Sequence, residues 1–431
     1  MKEILINPAE NAWENITKRP ALDFTSLRPG VTKILEEVKI NGDGALRKFA
    51  LEFDGFELDD ITVSPAEIDE AETQVPGELK SAIAVASRNI WKFHEAQLEK
   101  TGRIEIADGI SCWRKAVPIE RVGLYIPGGT APLFSSLLML GIPAVIAGCK
   151  EIIVCTPAGK NNTVHPAILY VAKLLGIENI YKSGGSQAIA AMAYGTSSIP
   201  KVYKIFGPGN QYVTCAKQLV SSEGVAIDMP AGPSEIAVYA DETCNPAFVA
   251  SDLLSQAEHG PDSQVFLVAS TQPILEEITR EVMLQVETLP RKSVAMQSLH
   301  NSHFIVMHNI EDAFKLLNVY AAEHLIIASD NAEDLCNKVI NAGSVFIGHY
   351  SPESAGDYAS GTNHTLPTNG YAKSYSGVSV DSFVKKITFQ KLTQEGLENI
   401  GDSVEALAAA EGLEAHKRAV SVRRMFIKNI Q

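Results

Sequence analysis

The chain has 431 residues, 45% of them hydrophobic and 20% charged, a globular balance that excludes global disorder. At ~150 residues per domain the length predicts two or three domains, large enough to bury a core without staples. Lys and Arg total 37 against 51 Asp and Glu, a net charge of −14, which argues against nucleic acid and anionic membrane surfaces as partners. An anionic ligand stays possible where backbone donors hold it locally.

The first residues, M-K-E-I-L-I-N-P, lack a signal-peptide layout. The most apolar stretch, Leu133 to Gly148, contains Ser135, Ser136 and Pro143 and is shorter than the ~20 residues a bilayer requires. A soluble, cytoplasmic protein is expected. The six cysteines (112, 149, 155, 215, 244, 336) form no C-x-x-C pair and read as small apolar fillers in a reducing compartment.

Residues 1–100 read as helical. Ser64-Pro65-Ala66-Glu67 predicts a capping box with proline at the first helical position, and Pro76-Gly77 opens a helix over 78–98. Asp108-Gly109 predicts a hairpin turn between strands carrying Ile104, Ile106, Ile110 and Trp113. From 121 short apolar runs alternate with helical ones. Strands are expected at 122–126, 151–155, 179–182 and 202–206, with helices at 164–175, 186–194 and 210–220. Met229-Pro230-Ala231-Gly232-Pro233 interrupts this series. A second one follows, with strands at 235–240, 264–269, 303–307, 325–328 and 344–347. Its helices fall at 246–258, 271–284, 310–320 and 332–341. The fold class expected is α/β: two side-by-side units with parallel-type sheets, plus small N-terminal and C-terminal helical segments. Residues 348–377 read as a long loop, and the tail from 391 as helices.

Three glycine turns stand between strand and helix: Pro127-Gly128-Gly129, Ser183-Gly184-Gly185-Ser186 and Gly207-Pro208-Gly209-Asn210. Each can present backbone N–H groups to a phosphate, although none completes G-x-G-x-x-G. Ligands of such series bind at the carboxyl ends of the strands. Gln256 and His259 are three apart at a helix end, so an amide oxygen and an imidazole can meet one metal ion. Glu323-His324 places an acid and an imidazole at a strand entrance, where they can act as base and water activator. Asp357 lies among small residues that allow close backbone approach, and is a candidate hard oxygen ligand. Glu411 and His416 enter the last helix. On the residues alone each group also reads as a turn, a helix cap or a solvated pair.

Taken in order, these stretches resemble the histidinol dehydrogenase family. The runs that carry the resemblance are V-G-L-Y-I-P-G-G at 122–129, G-G-S-Q-A-I-A-A at 184–191, G-P-G-N at 207–210 and M-P-A-G-P-S-E at 229–235. They continue with D-L-L-S-Q-A-E-H-G at 252–260, A-A-E-H-L at 321–325, S-A-G-D-Y-A-S-G-T-N-H at 354–364 and A-E-G-L-E-A-H at 410–416. The resemblance implies an NAD-dependent oxidation of L-histidinol through the aldehyde to L-histidine. It implies one zinc ion per subunit, on Gln256, His259, Asp357 and His416. Glu323 matches the water-activating position and His324 the general acid/base. Ser234 and Glu411 match substrate contacts, and Tyr125, Gln187 and Asn210 match NAD contacts. It further implies a homodimer with shared active sites, so that Glu411 and His416 act across the interface. The implied organisation is an N-terminal arm (1–23), a substrate and metal domain (24–121 with 234–378), an inserted NAD domain (122–233) and a tail domain (379–431) packed on the partner. Two other functions stay open on the residues: a zinc hydrolase using Glu323, and a non-enzymatic two-lobed ligand-binding protein.

Overall fold

The computed structural model describes residues 4–20, 24–99, 102–128, 132–159 and 161–429. Gly129 of the first glycine turn lies outside them. The contacts divide the chain into two units, one from 1–97 with 119–383 and the other from 98–118 with 384–431.

The larger unit contains both parallel sheets. Runs such as E-I-A-V-Y-A at 235–240 and Q-V-F-L-V-A at 264–269 are apolar after their first residue rather than alternating, and every residue in them is buried. That is the signature of strands covered on both faces. The six-stranded sheet has the order Leu5–Ile6, His303–Val306, Gln264–Ala269, Glu235–Ala240, His324–Ala328, Ser344–Ile347. The five-stranded sheet has the order Asn179–Lys182, Glu151–Thr156, Arg121–Tyr125, Lys204–Phe206, Ala226–Ile227. In each, the first long strand is central. The chain winds outward on one side and then returns to build the other, the doubly wound plan. The expected pair of α/β units is therefore present.

Helices close both faces. Pro65–Gln74 begins with the expected capping box: the Ser64 hydroxyl accepts from the Glu67 N–H, and the Glu67 carboxylate accepts from the Ser64 N–H. Together with Gly77–Glu95, Phe134–Ala147 and Pro166–Leu174 it forms one core of the five-stranded sheet. Phe24–Asn41, Gly185–Tyr194 and Gln211–Ser222 form the opposite one. Most of the early helices thus cover this sheet. The six-stranded sheet has its own core on each face.

Some elements differ from expectation. The helix expected over 332–341 ends at Leu335, followed by a 3-10 turn at Cys336–Lys338. Asn318 captures the chain beyond it: its Oδ1 accepts from the N–H groups of Ile340 and Asn341, and its Nδ2 donates to the Lys338 carbonyl. A helix at Lys292–Asn301 and a short one at Glu353–Tyr358, inside the expected loop, have no counterpart in the sequence reading.

In the smaller unit the hairpin of Ile104–Ala107 and Ile110–Pro118 forms around Asp108-Gly109 as expected. A third strand, Val384–Leu392, pairs antiparallel with Ile110–Pro118, where the sequence suggested only helices from 391. Helices Gln394–Ala410 and Glu414–Lys428 follow. No described helix is long and apolar enough to cross a membrane.

Candidate active site

Glu323 and His324 stand at the amino end of their strand, not at the carboxyl end where doubly wound sheets usually bind ligands. The register places His324 beside Ile236 of the central strand. Just ahead of Ile236, the Glu235 N–H donates to Glu323 Oε2 at 3.0 Å, and the Glu235 carbonyl oxygen lies 3.3 Å from His324 Nδ1. Both side chains are buried.

Three further carboxylate contacts surround the imidazole. Its Nδ1 is 3.5 Å from Glu353 Oε1 and 3.7 Å from Glu323 Oε2, and its Nε2 is 3.5 Å from Asp357 Oδ1. Burial is the largest influence on His324 and lowers its pKa, but Glu323, Glu353 and Asp357 together outweigh it and hold the ring up at about 10. Burial pushes Glu323 up to about 8 and Glu353 up to about 7. Burial also acts to raise Asp357, but the neighbouring His324 keeps its carboxyl below the usual value. A site with this much clustered acid suits a bound cation.

His259, Glu353 and Asp357 offer ligand atoms that all lie within 4.8 Å of one another. His259 follows the helix Pro246–Ala257, and its N–H donates to the Gln256 carbonyl. The Gln256 side chain is fully buried, and neither its amide oxygen nor its nitrogen has a hydrogen-bond partner; Asp357 Oδ1, Glu353 Oε1 and His324 Nε2 are orphaned in the same way. Buried polar atoms are rarely left unpaired without a ligand to meet them. A set of imidazole nitrogen and carboxylate and amide oxygens fits a divalent metal ion.

A cavity of about 380 Å³ runs from this cluster to the third glycine turn, lined by His259, Ser234, Glu323, His364, Gly207 and Asn210 among others. A second, of about 420 Å³, opens at the carboxyl ends of the five-stranded sheet. Tyr125, Gln187 and Asn210 all line it, and Asn210 lines both cavities. The Tyr125 hydroxyl accepts from the Gly185 N–H at 3.2 Å, and Asn210 caps the helix Gln211–Ser222 through the N–H groups of Tyr212 and Val213. Gly207 has φ +129°, and a Cβ there would meet the Tyr125 carbonyl oxygen at 2.1 Å, so only glycine fits where these two strands diverge.

The sequence of the whole chain matches known proteins. The profile of the family described as histidinol dehydrogenase matches residues 17–424. The chain belongs to the histidinol dehydrogenase family. Histidinol dehydrogenase of Bacteroides fragilis is 58% identical over 416 residues, covering 96% of this chain and 97% of the relative. That of Bacteroides thetaiotaomicron is 55% identical over 428 residues, covering 99% and 100%. The crystal structure of histidinol dehydrogenase from Elizabethkingia anophelis superposes with a TM-score of 0.97 at 55% identity, covering 99% of this chain and 98% of that one. Membership makes the chain an oxidoreductase of histidine biosynthesis that takes histidinol with NAD and a metal ion. The hydrolase and ligand-binder functions give way to it.

Of the residues expected to act, His259, Glu323, His324, Asp357 and Ser234 belong to the larger unit at the amino-end site, Gln256 is buried at the end of the helix that precedes His259, and Tyr125, Gln187 and Asn210 line the second cavity. Glu411 and His416 belong to the smaller unit. Glu411 caps the helix Gln394–Ala410, His416 lies in the first turn of Glu414–Lys428, and both are exposed. Sequence reasoning missed Glu353 and Glu235. A signal existed for the first: Pro352-Glu353 is a helix start, and Glu353 shares a helix face with Asp357 four residues on. Glu235 closes the run M-P-A-G-P-S-E, but nothing in its type or spacing gives it a role.

Proposed function

We propose that the chain oxidises L-histidinol to L-histidine in two successive NAD-dependent steps, with L-histidinal between them and zinc as the metal. The observation that carries this reading is the meeting of His259 and Asp357 donors with a buried Glu323–His324 pair, beside a cavity that reaches Asn210.

Gln256, His259 and Asp357 are the proposed zinc ligands, joined by His416 of the partner subunit. When bound, the zinc supplies a fixed charge that orients the imidazole and amine of the substrate. Ser234 and the partner subunit's Glu411 complete substrate binding, and Tyr125, Gln187 and Asn210 hold NAD. His324 takes the hydroxyl proton as hydride leaves carbon for the nicotinamide. A cation held by Asp357 would oppose the pull that Glu323, Glu353 and Asp357 exert on the ring's proton and so favour the neutral imidazole. Glu323 removes a proton from the water that adds to the aldehyde. His324 returns its first proton to the aldehyde oxygen as that water adds, and the neutral ring then takes a proton of the hydrate as the second hydride leaves. Glu323 has the burial and the raised pKa of a base tuned toward neutrality.

The assembly proposed is a homodimer in the cytoplasm, with each active site completed by the partner's tail. Purified protein given histidinol, NAD and zinc is expected to form two NADH per histidinol consumed. One NADH per histidinol with histidinal accumulating, or none, would contradict the reading.

A further inference from the structure

Arg19 lies in an extended segment after the short helix Trp13–Ile16, far in sequence from the active site. Its guanidinium forks onto a carboxylate on the central strand of the six-stranded sheet: Nε donates to Glu235 Oε2 and Nη2 to Glu235 Oε1, each at 2.8 Å. Nη2 also donates to the Tyr320 carbonyl at 2.5 Å, and Nη1 to the Thr17 carbonyl at 3.0 Å. The guanidinium plane sits 3.7 Å from the centre of the Tyr320 ring. That ring is fully buried, and its hydroxyl donates to Gln264 Oε1, while Gln264 Nε2 donates to the Lys18 carbonyl. The Lys18-Arg19 segment is therefore tied to the sheet from both sides, and Glu235, 1% exposed, has both carboxylate oxygens committed to Arg19.

The main chain of this same Glu235 meets both reactive side chains. Its N–H donates to Glu323 Oε2, and its carbonyl oxygen is the acceptor nearest His324 Nδ1. We infer that Arg19 is a positioning residue for the two oxidations: by clamping the Glu235 side chain, it fixes the backbone groups that aim Glu323 and orient the His324 ring. The inference rests on the proposed roles of Glu323 and His324.

The physical argument has two parts. Without Arg19, Glu235 is an unpaired carboxylate in a dry site next to the carboxylate of Glu323, and a buried charge that has lost its partner drives rearrangement. The strand entrance that carries its N–H and carbonyl is what would move. The fork also needs a planar guanidinium, since a lysine ammonium can neutralise Glu235 but cannot engage both oxygens and stack on Tyr320 together.

The test uses the full-length, zinc-loaded enzyme carrying Arg19→Met, Arg19→Lys or Glu235→Gln. The last keeps the Glu235 main chain and nearly its shape, and so remains informative if Arg19→Met folds poorly. Rates are measured separately with histidinol and histidinal. Any loss of folded protein scales both rates alike and cancels from their ratio. In Arg19→Met and Glu235→Gln, kcat is expected to fall about 10–100-fold with KM values unchanged. The ratio of histidinal to histidinol oxidation should shift toward that of Glu323→Gln, with Arg19→Lys intermediate. A wild-type ratio in all three variants, while Glu323→Gln and His324→Ala are impaired, would overturn the inference and leave the proposed function standing. Unimpaired Glu323→Gln and His324→Ala would overturn both.

Discussion

His324 Nε2 stands 3.5 Å from Asp357 Oδ1, and neither atom has a hydrogen-bond partner. The Gln256 amide and Glu353 Oε1 are buried and unpartnered as well. Each such group costs about 1–3 kcal/mol when left unsatisfied. They come from three separate elements of the six-stranded half: the helix Pro246–Ala257, the strand His324–Ala328 and the helix Glu353–Tyr358. A fold that tolerates this strain in one place keeps the groups ready for a ligand, and the family's metal and substrate are the ligands they suit.

Glu323→Gln should slow histidinal oxidation more than histidinol oxidation, since only the aldehyde step needs an added water deprotonated. Separate steady-state rates with the two substrates check this. Equal losses in both would assign the water to another base.

Gly343 runs beside the backbone of Glu323, and a Cβ there would meet the Glu323 carbonyl oxygen at 2.5 Å and Leu366 Cβ at 3.1 Å. Gly343→Ala is therefore expected to displace Glu323, lowering kcat about tenfold or more and stability by about 1–3 kcal/mol. Gly77, with nothing near its Cβ position, is the control, and Gly77→Ala should leave kcat unchanged. Full activity in Gly343→Ala would show that the Glu323 backbone has room to yield.

Mixing His416→Ala chains with His324→Ala chains should restore part of the lost activity, because in the proposed shared-site dimer a hybrid would assemble one site with both native residues. The measurement is NADH formation after verified subunit exchange. No recovery would place the two histidines in the same subunit's site.

His94 is fully buried, with Nδ1 2.8 Å from the Ile90 carbonyl oxygen and Nε2 3.3 Å from Asn363 Nδ2. Burial holds its pKa below the ordinary histidine value. The folded state then binds fewer protons than the unfolded one, so stability falls as pH drops below the unfolded value of ~6.5. Melting temperatures between about pH 7 and pH 5 should fall less steeply for His94→Gln than for the wild type, from a lower starting point. Parallel slopes would remove His94 from the acid response.

Much of the fold is legible in the sequence. Strands Asn179–Lys182, Glu235–Ala240, Gln264–Ala269 and Ser344–Ile347 and the helix Ile310–Tyr320 occur at the residues expected, because each is a strongly patterned run between turn or cap residues. The strand Val384–Leu392 was not legible: its partner Ile110–Pro118 is remote in sequence, and its residues, mixed in polarity and mostly exposed, carry no core signal. Local pattern also could not foresee that Asn318 would stop the helix after Leu335. In the site, Glu323, His324, Gln256, His259 and Asp357 are candidates by residue type and spacing, and the resemblance of the ordered runs around them is what singles them out. Arg19 and Glu235 do not, since what they do depends on a contact between the N-terminal segment and a strand more than two hundred residues later.

Metal content of the purified protein, measured before and after His259→Ala and Asp357→Asn substitution, tests most directly whether these side chains hold one catalytically required ion. One zinc per chain is expected in the wild type, with zinc and activity lost together in both variants while each stays folded. Full zinc content in both variants, or full activity of a wild-type protein stripped of metal, would contradict it.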